Sequence, residues 1–169
     1  KLSLASAENL SQMFYKSEIG GLTLNAAPMG GNHITNMSSM FQDCANLEGI
    51  DLHNISTGPL ENIASMFKNL PYVKKITLPS VFNTTAITDF SSFLADNIRL
   101  TTLENSDKIK LTSATNTNHM FANTLSLDLK DFIHHIESEN ITDASYMFHR
   151  TTSSQNITIP TTFKTNHVS

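Results

Sequence analysis

Seven histidines could in principle bind a metal or move protons: His33, His53, His119, His134, His135, His149 and His167. None sits in an H-E-x-x-H or alongside a C-x-x-C, the spacings that converge on zinc. His134 and His135 are adjacent, so on a helix they diverge by about 100° and on a strand they face opposite sides, which reads as a solvated pair rather than a shared ligand set. Cys44 is the single cysteine, which excludes an internal disulfide. As a thiol it could be a nucleophile, but its place in the repeat, four after Met40, favours a small semi-buried filler. There is no G-x-S-x-G and no phosphate-cradling glycine loop, and Gly20-Gly21 and Gly30-Gly31 read as turns. The expectation is a non-enzyme with no metal and no cofactor.

A second chemistry is recognition by a polar face. If short apolar triplets are strands, their outward residues form ladders: Asp51 and His53, Lys75 and Thr77, Thr102 and Glu104, Asp128 and Lys130, Asn156 and Thr158. Carboxylate, amide, hydroxyl and ammonium groups suit carbohydrate hydroxyls or a protein partner. The plain alternative is a solvated sheet face. The absence of Trp, with Tyr scarce on that face, speaks against a dedicated sugar-stacking platform there.

The formal net charge of −4 gives no support to a nucleic-acid role, and there is no basic run or aromatic platform to revive it. No apolar stretch approaches the ~20 residues of a membrane span. Charged residues make up 15% of the chain, against about 25% in ordinary domains; Asn, Ser and Thr fill the gap. Protonating all seven histidines would carry the charge from −4 to +3. Model histidine titrates near pH ~6.5, so mild acid would favour an anionic partner. The Asn-x-Ser/Thr sequons at Asn9, Asn36, Asn54, Asn83, Asn140 and Asn156 are what an Asn- and Thr-rich chain makes by chance.

What positions these residues is a repeat. The pairs Met13-Phe14, Met40-Phe41, Met66-Phe67, Phe93-Leu94, Met120-Phe121 and Met147-Phe148 lie 27, 26, 27, 27 and 27 residues apart. Four residues before each pair stands only Asn or Asp: Asn9, Asn36, Asn62, Asp89, Asn116 and Asp143. Such side chains cap helices, so each copy reads as a short capped helix whose Met-Phe face is buried. Cys44 aligns with Ser17, Leu70, Asn97, Thr124 and Thr151.

A strand signal follows each helix, at Leu22-Thr23-Leu24, Ile50-Asp51-Leu52, Ile76-Thr77-Leu78, Leu127-Asp128-Leu129 and Ile157-Thr158-Ile159. In the fourth unit, uniform spacing favours a strand at Leu103, although it places Asn105 at an inward position, and Ile109-Lys110-Leu111 is the better-looking strand. The fold expected is α/β: one domain over 1–169, a leucine-rich-repeat-like right-handed solenoid of about six coils, with a parallel sheet on one face and short helices on the other. Neither end carries a polar capping unit, which points to a fragment of a larger protein.

Residues 34–52, Ile34-Thr35-Asn36-Met37-Ser38-Ser39-Met40-Phe41 with Cys44, Leu47 and Ile50-Asp51-Leu52, resemble the repeat of the BspA-type leucine-rich surface proteins, V-T-N-M-S-x-M-F-x-x-C-x-x-L-x-x-L-D-L. Residues 60–78 and 141–159 resemble it less closely, and the first and fourth units are degenerate. The resemblance implies a secreted or wall-attached adhesin of a host-associated organism. Its partner would be a host glycoprotein, mucin or polysaccharide, with no membrane insertion by this domain. The alternatives are a structural stalk, or an enzyme accessory domain.

Overall fold

The computed structural model describes residues 4, 6–20, 22–23, 33–133, 136–152 and 158–164. Short strands lie in chain order: β1 (Leu22–Thr23), β2 (Gly49–Asp51), β3 (Ser56–Pro59), β4 (Lys75–Thr77), β5 (Val81–Asn83) and β6 (Thr102–Glu104). A 3₁₀ turn, Ser106–Lys108, and one four-residue helix, α1 (Lys130–Ile133), follow. Strands β1-β2-β4-β6 form one parallel sheet and β3-β5 a second. In the first sheet Leu22, Ile50, Ile76 and Leu103 are paired in register. Ile50 and Ile76 enter the core while Leu103 packs on its margin.

The pairing of Leu103 with Ile76 places the fourth strand where uniform spacing puts it. The price is Asn105 where other units carry an apolar residue. It is met by a left-handed backbone, φ 61°, and by a hydrogen bond of 2.9 Å from the Asn105 amide to the Leu78 carbonyl.

The expected α/β leucine-rich-repeat-like solenoid with helices on one face is not what the chain forms. Among the described residues there are two small parallel sheets and little other regular structure, and no helix follows any Asn or Asp of the repeat. The residues three and seven after each Asn/Asp have positive φ: Gln12 and Lys16, Ser39 and Asp43, Ser65 and Asn69, Ser92 and Asp96, His119 and Asn123, Tyr146 and Arg150, all between 52° and 65°. An α-helix needs unbroken right-handed dihedrals, so two left-handed residues in eight forbid it.

The hydrogen bonds explain why this alternative wins. In residues 36–44 the N–H groups of Met40, Gln42 and Cys44 close turns onto Met37, Ser39 and Phe41, while those of Met37, Ser39, Phe41 and Asp43 cross to Asn62, Ala64, Met66 and Lys68. Alternate amides thus serve their own turn and the next unit, leaving no donor in that run unmet. A lone helix of eight or so residues rich in Ser and Asn is marginal. A neighbouring unit offering four aligned carbonyls is the better partner.

The Asn/Asp column keeps half of its expected role. Its Oδ1 atoms accept the N–H two residues on at 2.8–3.0 Å in all six copies, from Ser11, Ser38, Ala64, Ser91, Asn118 and Ser145. These are Asx turns rather than helix caps. Asn36 also accepts from the Ser38 hydroxyl at 2.8 Å. Asn36→Ala should therefore lower stability by about 1 kcal/mol, read as a lower urea midpoint at unchanged slope; an unaltered midpoint would show the bond to be dispensable.

The Met-Phe column lies inward: Met40, Phe41, Met66, Phe67, Met120 and Phe121 are fully buried, whereas Met13 of the first unit is 36% exposed. Phe14, Phe41 and Phe67 stack face to face at 5.4 and 5.7 Å, and Phe121 and Phe148 at 5.9 Å. The fourth unit reverses the pair, and Phe93 meets Phe67 edge-on instead.

The fifth expected strand does not form. Leu127 and Leu129 are buried as alternation requires, but Asp128 Oδ1 accepts the Lys130 N–H at 3.0 Å and the chain enters α1. Leu24, Gly21, Gly30-Gly31, the His134-His135 pair, Asn156, Ile157 and His167 lie outside the described residues.

Candidate functional site

Strand register decides which of the expected polar ladders exist. Asp51, Thr77 and Glu104 lie across from one another on β2, β4 and β6, and Gly49, Lys75 and Thr102 form the parallel row beside them. Lys75 Nζ lies 2.7 Å from Glu104 Oε1, and the Thr77 hydroxyl donates to Glu104 Oε2 at 2.8 Å. Asp51 Oδ1 accepts the His53 N–H at 3.0 Å and meets His53 Nδ1 at 2.7 Å. Six of the ten expected ladder residues, Asp51, His53, Lys75, Thr77, Thr102 and Glu104, therefore sit on or beside one sheet face.

The other four do not join them as a ladder. Asp128 is exposed at the turn into α1 and Lys130 is half-buried as the first residue of that helix. Thr158 is exposed and outside any strand, and Asn156 lies outside the described residues. Thr77 points outward as expected but is only 8% exposed. Glu104 leans over it, and the hydroxyl serves to orient that carboxylate.

A shallow concavity of about 440 Å³ lies on this face, with Asp51, His53, Lys75, Thr77 and Glu104 around its edge. Gly49 lines it as well, so on the β2 side no side chain stands beside Lys75 in that row. The Lys75 hydrogen bond, followed by that of Thr77, holds the Glu104 carboxyl below the usual carboxylate range. For Asp51 partial burial pushes the carboxyl up, but the two hydrogen bonds from His53 outweigh it and the net shift is downward. Both groups are thus anions at neutral pH. Whatever stability they add is present above the ordinary carboxylate pKa and is lost as pH falls through the lowered values. Because the Lys75–Glu104 pair is about half exposed, it contributes little to stability. Its effect is positional: an ammonium and two carboxylates are held at fixed points on a ruled surface.

Cys44 is fully buried, and burial pushes its thiol up. Its Sγ lies 2.9 Å from the Phe14 carbonyl, so it is a core residue and not a nucleophile. Among the described residues no three His, Cys, Asp or Glu side chains are grouped to hold a metal.

Sequence reasoning did not single out Tyr146, nor His119 and His149 from among the histidines. The signal was available in the repeat: His119 and Tyr146 both stand three after the Asn/Asp, where other units have Gln12, Ser39, Ser65 and Ser92.

A model of the family described as "Mycoplasma protein of unknown function, DUF285" matches the chain over residues 2–78 and 35–162. No curated protein and no solved structure gives a match.

Proposed function

We propose a function from the premise that the chain belongs to this family, whose description assigns none: it is a non-catalytic, extracellular adhesion module that holds a host glycoprotein, mucin or anionic polysaccharide. The observation that carries the reading is the outward face of β2, β4 and β6, where Asp51, His53, Lys75 and Glu104 are fixed around an open concavity. Parallel strands set such groups at about 4.8 Å intervals, a spacing that suits repeated hydroxyls or charges along a polymer. The resemblance of residues 34–52 to BspA-type surface repeats supports the same reading and adds cell-surface attachment through other regions of the protein.

The test is binding to immobilised mucin and to polygalacturonate at pH 5 and 7.4, in low and physiological salt. Binding should strengthen at pH 5, as histidines gain charge, and weaken with added salt. A His53→Gln, Lys75→Ala double variant, which removes two cationic or hydrogen-bonding groups from the concavity, should bind more weakly at both pH values. Equal binding at both pH values would sink the acid dependence, and failure of the wild-type chain to bind any glycan or glycoprotein would leave a spacer as the better reading.

A further inference from the structure

On the turn edge of the last two described units, three rings gather at the surface, His119 half-buried and Tyr146 and His149 exposed. The rings of His119 and Tyr146 stack at 4.8 Å with 22° between their planes, and His149 meets Tyr146 edge-on at 5.7 Å. Tyr146 is 61% exposed, the most open of the large apolar side chains among the described residues. Exposed apolar residues scattered singly are ordinary, but a cluster of aligned rings is informative.

The choice of side chain makes the cluster unusual. His119 and Tyr146 have φ of 55° and 58°, and Tyr is a bulky residue for the left-handed region. Four of the six units place Gln or Ser at the same point. An aromatic ring there costs conformational energy and buries little in return. The left-handed corner recurs in every unit and Gln or Ser meets it elsewhere, so the fold does not require rings at His119 and Tyr146.

We infer that His119, Tyr146 and His149 form a stacking subsite for a pyranose ring of a glycan. The apolar C–H face of a sugar fits a flat aromatic surface, and Tyr and His each join an apolar ring face to a polar edge. Polar groups border the platform. His119 Nδ1 is hydrogen-bonded to Asn118 Oδ1, and the Asn118 amide reaches Asp143 Oδ2 at 3.4 Å. Asp143 Oδ1 is held by the Ser145 hydroxyl and N–H, which keep its carboxyl below the usual range. That network fixes the His119 ring against Tyr146 through its Nδ1 and leaves the exposed His149 edge to meet sugar hydroxyls beside the stacking ring. The subsite is on a different edge from the sheet-face concavity and rests on the glycan-binding reading above.

The experiment titrates the folded chain with hexasaccharides of galacturonic acid and of N-acetylglucosamine, following ¹³C-labelled Tyr and His ring resonances. The expected result is perturbation of Tyr146 and His119 rings by at least one sugar, a loss of at least tenfold in affinity for Tyr146→Ala, and retained affinity for Tyr146→Phe. Preference for galacturonate would assign an acidic sugar, and preference for N-acetylglucosamine a neutral one. Binding that Tyr146→Ala leaves unchanged but His53→Gln, Lys75→Ala removes would overturn the stacking subsite alone. Absence of binding by the wild-type chain to both sugars, to mucin and to polygalacturonate would overturn the subsite together with the glycan-binding reading. Thermal melting of each variant separates loss of fold from loss of contact.

Discussion

Phe41→Ala should lower the unfolding free energy by about 3 to 5 kcal/mol. The ring is fully buried, with Phe14 stacked on one face and Phe67 on the other. Truncation removes both ring contacts at once and opens a cavity at the centre of a three-ring column. The residue's own N–H and carbonyl remain in place, because the Phe41 amide bonds to Met66 and its carbonyl accepts from Cys44. The backbone ladder therefore resists collapse into the void, which puts the cost toward the upper end of the range. Phe41→Leu, which keeps most of the volume, should cost markedly less. Urea unfolding with matched slopes checks both; a loss under about 1 kcal/mol for Phe41→Ala would mean that the column is not a packed seam.

Asn97→Ala should be comparably damaging for a different reason. Asn97 is fully buried, and its amide donates to the carbonyls of Phe67 at 2.7 Å and Leu94 at 2.8 Å, while its Oδ1 accepts the Leu70 N–H at 2.9 Å. Removing it strands three buried backbone groups, each worth roughly 1 to 3 kcal/mol when left unmet. A loss of about 3 kcal/mol or more follows, with a melting temperature lower by roughly 6 to 12 °C for a domain of this size. Asn97→Leu should be no better than Ala, although Leu70 occupies the same column one unit earlier, because Leu restores volume but no hydrogen bond. Recovery by Leu would show that volume and not bonding matters at this point.

These two residues also mark what could be read in the sequence. The 26- and 27-residue spacing fixed the stacking of like positions, and it placed Leu103 opposite Ile76 correctly. It also identified Met40, Phe41 and their counterparts as interior. The error was helical. Met37, Met40, Phe41 and Cys44 are spaced i, i+3, i+4, i+7, the apolar face of an amphipathic helix. A run of three-residue turns with left-handed corners at Ser39 and Asp43 buries the same four positions. Periodicity cannot separate the two, and an Asn that accepts from the N–H two residues on is common to both. What separates them is the destination of alternate amides, and that is a property of neighbouring units.

The candidate site divides along the same line. Asp51, Lys75 and Glu104 follow from strand alternation, so their shared face was legible. Asp128 and Lys130 did not follow, because a local bond from Lys130 to Asp128 diverts the chain into α1. Asn97 looked like a degenerate letter in the cysteine column. The His119–Tyr146 pair becomes visible only when the third residue after the Asn/Asp is seen to turn outward.

The crossing amides give the molecule a mechanical grain. Four hydrogen bonds run from residues 37–43 to residues 62–68, all directed from one unit to the next. Tension applied along that direction loads the four together, whereas tension that peels one end loads them singly. Under load the chain would therefore resist force along the stack far better than force across it, and under sufficient force would yield one unit at a time, releasing about 27 residues of slack at each step.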